Sequence, residues 1–190
     1  MKPLGSLQEA VDTAVDAVRR TTLGSLGVRL LAWGSGFAAL WLVVPSGFAG
    51  PVLLVVALVV ALCPAVAPRS WLVLAVELVV AAGWIIRTAV AGEPVTWLPL
   101  IAVAGTLYLH HTTCALAAVL PLDARLMPGA ARRWFARVGI VVAATALLAI
   151  AALDLLPRPD YATPLVVPVA GVLLVTVLTA LLAYAVRRRR

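Results

Sequence analysis

Asparagine is absent from the chain, lysine occurs once, at Lys2, and only eight of the 190 residues are acidic. Charged residues make up 12% of the total, about half the share that a soluble domain needs to cover its surface. A water-soluble globular domain is therefore excluded. Two cysteines, Cys63 and Cys114, both lie within apolar runs, which excludes a secreted disulfide framework and leaves them as small buried hydrophobes. No Gly-rich phosphate loop, nucleophile elbow or paired-carboxylate arrangement occurs, so the motif-bearing enzyme classes have no foothold. The missing asparagine and near-missing lysine, set against an excess of Ala, Val, Gly and Pro, suit a GC-rich bacterial genome. That says nothing about mechanism.

What is present is apolar. Hydrophobic residues account for 64% of the chain and the mean hydropathy is +1.09, which together imply an integral membrane protein. The formal net charge of +7 raises nucleic acid as a partner. The arginines, however, stand at the ends of apolar runs, where they orient helices against a membrane surface, so the expected partner is the lipid bilayer and not nucleic acid.

Residues 1–22 read as an amphipathic helix. Ser6 and Glu9 form a capping box; Leu7, Val11, Ala14, Val15 and Val18 share one face, and Glu9, Asp12, Asp16, Arg19 and Arg20 the other. Such a helix either lies on the inner membrane surface or against the bundle, or docks a soluble protein partner. The surface or bundle position is the expected one, and the acidic outer face, which argues against strong attraction to anionic lipid, adds some weight to docking. Thr21 to Gly27, with two glycines and a serine, reads as a linker.

Six spans are expected to follow, at about 28–44, 50–67, 71–91, 97–120, 138–156 and 161–186. Proline and glycine punctuate the breaks. Arg19, Arg20, Arg29, Arg69, Arg125, Arg132, Arg133, Arg137 and Arg187 to Arg190 then fall on one side, and the positive-inside rule puts both termini in the cytoplasm. The fold expected is an all-α integral membrane protein, a six-transmembrane-helix bundle with an N-terminal amphipathic cytoplasmic helix. Its parts are helix and linker at 1–27, the bundle at 28–186 and a basic tail at 187–190. In the longest inner loop, Arg132, Arg133, Trp134 and Arg137 read as a short basic amphipathic helix that anchors at the headgroups. Gly34 and Ala38 in the first span, and Gly171 in the sixth, are spaced for close helix packing. Pro64 and Pro168 stand near helix ends, where any kink is small.

The candidate functional residues form an intramembrane polar cluster. The fourth span alone carries a compact polar run, His110, His111, Thr112, Thr113 and Cys114. Counting helical rise places Glu77 of the third span about 9 Å from its inner end, and His111 and Cys114 about 10–15 Å from theirs, in one layer. A carboxylate at that depth needs a partner, so Glu77 is expected to face the fourth span. Two helical ligands do not make a metal site, and neither a metal nor another cofactor is expected. Arg87 and Asp154 sit at similar depth near the outer side, where a salt bridge between them competes with snorkelling of Arg87 to the headgroups. The function favoured is a structural or accessory subunit that binds a partner at the cytoplasmic face. The alternative is a small proton- or solute-conducting transporter using Glu77, His110 and His111; an enzyme acting on lipid ranks last.

Overall fold

The computed structural model describes residues 22–124 and 127–155, with side chains described as far as Ala151. The chain divides after that residue, and the unit ending there is described by itself. Among the described residues the regular structure is entirely helical: α1 (Leu23–Leu42), α2 (Pro51–Val66), α3 (Leu72–Ile85), α4 (Trp97–Val119) and α5 (Pro128–Leu155). A 3₁₀ turn at Ser46–Phe48 follows α1, and a π-helical turn at Ile86–Val90 continues α3.

Among the described residues four segments are long and apolar enough to cross a membrane: Leu23–Leu42, Leu72–Val90, Trp97–Val119 and Pro128–Ala151. The second expected span, α2, is shorter at 16 residues. Pro51 fixes its start at the first helical turn, and Ala67 and Pro68 stop it just under the lower limit of about 17 residues for a crossing helix. The sixth expected span, the N-terminal amphipathic helix, Gly171 and the basic tail lie outside the described residues.

Helix α1 is the hub, packing chiefly against α4 and next against α2. Its buried face, Ser25, Val28, Ala32, Ser35, Gly36, Ala39 and Leu40, recurs at helical spacing and is mostly small. Small residues let two backbones approach closely, which is how helices associate where lipid removes the hydrophobic drive. The close-packing residue is thus Gly36, not the expected Gly34: a side chain at Gly34 would meet nothing within 4 Å. Gly34 is on a different turn face, a displacement that spacing alone does not reveal. A second contact of this kind joins α3 to the end of α1, where Gly83 lies beneath Val43.

Three further differences from the sequence reading have local causes. Leu23 to Gly27 of the expected linker are the first turn of α1, because the Thr22 hydroxyl caps it by accepting from the Ser25 amide at 3.3 Å. Thr22 also donates its hydroxyl to the Ala124 carbonyl and its amide to the Leu122 carbonyl, tying the start of α1 to the α4–α5 loop. The short basic helix around Trp134 is not a separate element but the first turns of α5, with Pro128 opening a continuous helix. Gly92 (φ 67°) ends the α3 segment in the left-handed conformation that only glycine adopts without strain.

Arginines satisfy the carbonyls that helix ends leave unpaired. Arg29 donates to the carbonyls of Ala65 and Val66 at the end of α2, and Arg69 donates to that of Ala118 near the end of α4. At the opposite end of the bundle Arg87, within the π turn, donates to the Leu42 carbonyl at the end of α1.

Candidate functional site: a polar cluster between α1, α3 and α4

His110 is fully buried and projects from α4 onto α1. Its Nδ1 lies 2.9 Å from the Ala32 carbonyl oxygen, and since a carbonyl only accepts, Nδ1 must carry the proton. The ring occupies the space that Gly36 leaves open: a Cβ there would stand 2.7 Å from Nδ1 and 2.8 Å from Cε1. The other ring nitrogen, Nε2, is 3.8 Å from the Cys114 sulfur one turn along α4. Thr113, also buried, turns its hydroxyl back to the Leu109 carbonyl at 2.6 Å, so that no polar group of this layer is left unpaired.

Glu77 belongs to a second, adjacent pair. Its carboxylate accepts from His111 Nδ1 at 2.8 Å, joining α3 to α4. The Glu77 side chain is 20% exposed and the His111 side chain 62%, so this pair stands at the edge of the bundle while His110 and Cys114 lie within it. Consecutive residues on a helix point about 100° apart, which separates the two histidines onto different neighbours. The four cluster residues therefore form two pairs, His110 with Cys114 and Glu77 with His111. Among the described residues no three His, Cys, Asp or Glu side chains converge as metal ligands would. Cys63 is exposed on α2 and remote in role from Cys114; both are free thiols.

Arg87 is paired with Glu93, six residues along the chain, at 2.7 Å. Asp154, the partner weighed for it, lies beyond the described side chains. The π turn and Gly92 bring the chain back over Arg87. Glu93 also accepts from the Ser46 amide at 2.7 Å, so this end of the bundle is a clasp of Arg87, Glu93 and Ser46. The Ser46 amide and then the Arg87 guanidinium hold the Glu93 carboxyl below the usual carboxylate range.

The expected headgroup anchor is spread along the first turns of α5. Arg132, Arg133 and Arg137 are exposed, and Trp134 is half-buried with its ring edge-on to Phe135 at 4.9 Å. Gly36, Ala32 and the arginine caps at Arg29 and Arg69 escape a reading by residue type. The readable signal for Gly36 was the spacing Ala32, Gly36, Ala39, which competes with Gly34 and Ala38 on the same helix.

These features define the class: a protein whose described residues are helical, four of those helices being long and apolar enough to cross a membrane. Comparison of the chain with protein-family models, curated proteins and solved structures finds no match.

Proposed function

We propose that this chain is a polytopic protein of the bacterial inner membrane, crossing it six times with both termini in the cytoplasm, and that it works as a structural or accessory subunit binding a protein partner at its cytoplasmic face. The observation that carries this reading is the burial of His110. Its ring fills the space over Gly36 and its Nδ1 is occupied by the Ala32 carbonyl, so the most buried titratable group among the described residues holds α1 to α4. A proton or solute relay needs a group that can meet water, and His110 is fully shielded. The orientation is supported by Arg29 and Arg69 at one end of the bundle and the neutralised Arg87–Glu93 pair at the other. The N-terminal amphipathic helix and the basic face around Arg132, Arg133 and Arg137 are the surfaces offered to the partner.

Affinity capture in mild detergent, with the full chain and with residues 1–22 removed, tests this. The full chain is expected to retain specific partners that the shortened chain loses; identical recovery by both would reject docking through that helix.

One observation favours the alternative, a small proton- or solute-conducting transporter: the Glu77–His111 hydrogen bond lies where His111 is exposed. Glu77→Gln and His111→Ala in proteoliposomes decide the matter. Unchanged flux at normal protein levels removes the transport reading, and loss of a measurable wild-type flux in both variants would replace the accessory-subunit reading.

A further inference from the structure

The arginine-bearing end of the bundle holds a cleft of about 700 Å³ between the α2–α3 turn and the end of α4, walled by Arg29, Arg69 and Ser70. An apolar groove of about 600 Å³ continues from it along α1 and α2, lined by Leu26, Leu30, Trp33 and Leu62. Arg29, Val66 and Leu122 line both, so the two spaces share a wall. The ion pairs among the described residues are those of Arg87 and His111, and neither Arg29 nor Arg69 has a carboxylate partner there. The Arg29 Nε is buried without a hydrogen-bond partner, although the same guanidinium serves two carbonyls through its terminal nitrogen. A buried N–H of that kind is costly to leave unmade.

The local charge favours an anion. Two guanidiniums bring two positive charges, and the ends of α2 and α4 beneath them oppose these with about half a negative charge each, leaving about one positive charge. A phosphate suits arginine forks, and the groove beside it, on helices that include the membrane-length α1, suits a hydrocarbon chain. A free phosphate has no use for the groove.

We propose that this cleft binds one anionic phospholipid, with its phosphate on Arg29 and Arg69 and an acyl chain between Leu26, Leu30, Trp33 and Leu62. The site is independent of the partner-binding reading and needs only that the protein be embedded in lipid.

Native mass spectrometry of the full chain in detergent, with phosphatidylglycerol and phosphatidylcholine of equal chain length, tests it. Phosphatidylglycerol adducts are expected to outlast phosphatidylcholine adducts, and Arg69→Gln is expected to lower their retention about tenfold, the worth of one charged hydrogen bond. Leu62→Trp, on an exposed position that tolerates the larger ring, blocks the groove with both arginines intact and is expected to lower retention too. Equal retention of the two lipids, or retention unchanged in both variants, would overturn the site. Inorganic phosphate raising the melting temperature in wild type and Leu62→Trp but not in Arg69→Gln, with phosphatidylglycerol retention unmoved by Leu62→Trp, would assign the cleft to a soluble anion and overturn the lipid.

Discussion

Gly36→Ala removes nothing and adds one methyl group, yet it should loosen the centre of the bundle. The added Cβ would stand 2.7 Å from His110 Nδ1 and 2.8 Å from Cε1, closer than side-chain carbons approach in real proteins. The imidazole cannot simply swing aside, because it is fully buried and its Nδ1 is held by the Ala32 carbonyl. Overpacking of this kind costs about 1–3 kcal/mol. If the ring turns away, the lost interhelical hydrogen bond adds about 0.6–1.7 kcal/mol. Against this, alanine favours a helix over glycine by about 1 kcal/mol, so the net loss should be about 0–2 kcal/mol with the hydrogen bond kept and about 0.6–3.7 kcal/mol with it lost. The assay is reversible unfolding in mixed micelles, run as a cycle with His110→Ala. In the His110→Ala background the clash is gone and Gly36→Ala should be neutral or stabilising, giving a coupling well above the ~0.5 kcal/mol scatter of independent sites. Gly34→Ala, with nothing within 4 Å of the new carbon, is the control and should stabilise by up to about 1 kcal/mol. Additive effects in the cycle, or Gly36→Ala behaving like Gly34→Ala, would refute the reasoning.

The remaining predictions concern the end of the bundle where α1 meets the π turn. Gly83→Ala places a Cβ 2.7 Å from Val43 Cγ2 and should destabilise by about 1–3 kcal/mol, with Val43→Ala restoring most of the loss in the same assay. Gly92→Ala forces a side chain into the left-handed region and should cost about 1 kcal/mol or more, seen as a lower melting temperature in detergent. The Glu93 carboxyl titrates below its ordinary value of 4.5 in the folded chain, so its contribution is complete above that pH and is lost as pH falls through the lower folded value. Glu93→Gln should therefore be less stable than wild type at neutral pH, and the gap should close below about pH 4.5. A gap that persists or widens in acid would show that the carboxylate is not held by Ser46 and Arg87.

The apolar architecture was legible because lipid demands long runs, and Trp97–Val119 and Leu72–Val90 coincide with the expected fourth and third spans to within a residue or two. The start of α1 is not legible because Gly24 and Gly27 read as a linker and no Glu or Gln follows Thr22 at the third position to mark a capping box. Helix packing was legible only as a tendency: both Gly34 and Gly36 fit a small-residue stripe, and which one faces α4 depends on the rotation of α1 set by His110. Counting depth along separate spans brought Glu77 near α4 but could not show that His111, not His110, reaches it. The Arg87–Glu93 pair is not legible in residue spacing, because a π turn followed by a left-handed glycine reverses the chain in a way that spacing does not encode.

Cysteine accessibility across α3 tests the membrane reading most directly. With Cys63 and Cys114 replaced by alanine, single cysteines at Ser70 and Val95 flank the segment Leu72–Val90. In intact cells stripped of their outer barrier, a membrane-impermeant maleimide should label the cysteine at 95 and reach the one at 70 only after permeabilisation. Equal labelling of both from the outside, or a monomer that purifies from water without detergent, would contradict the account.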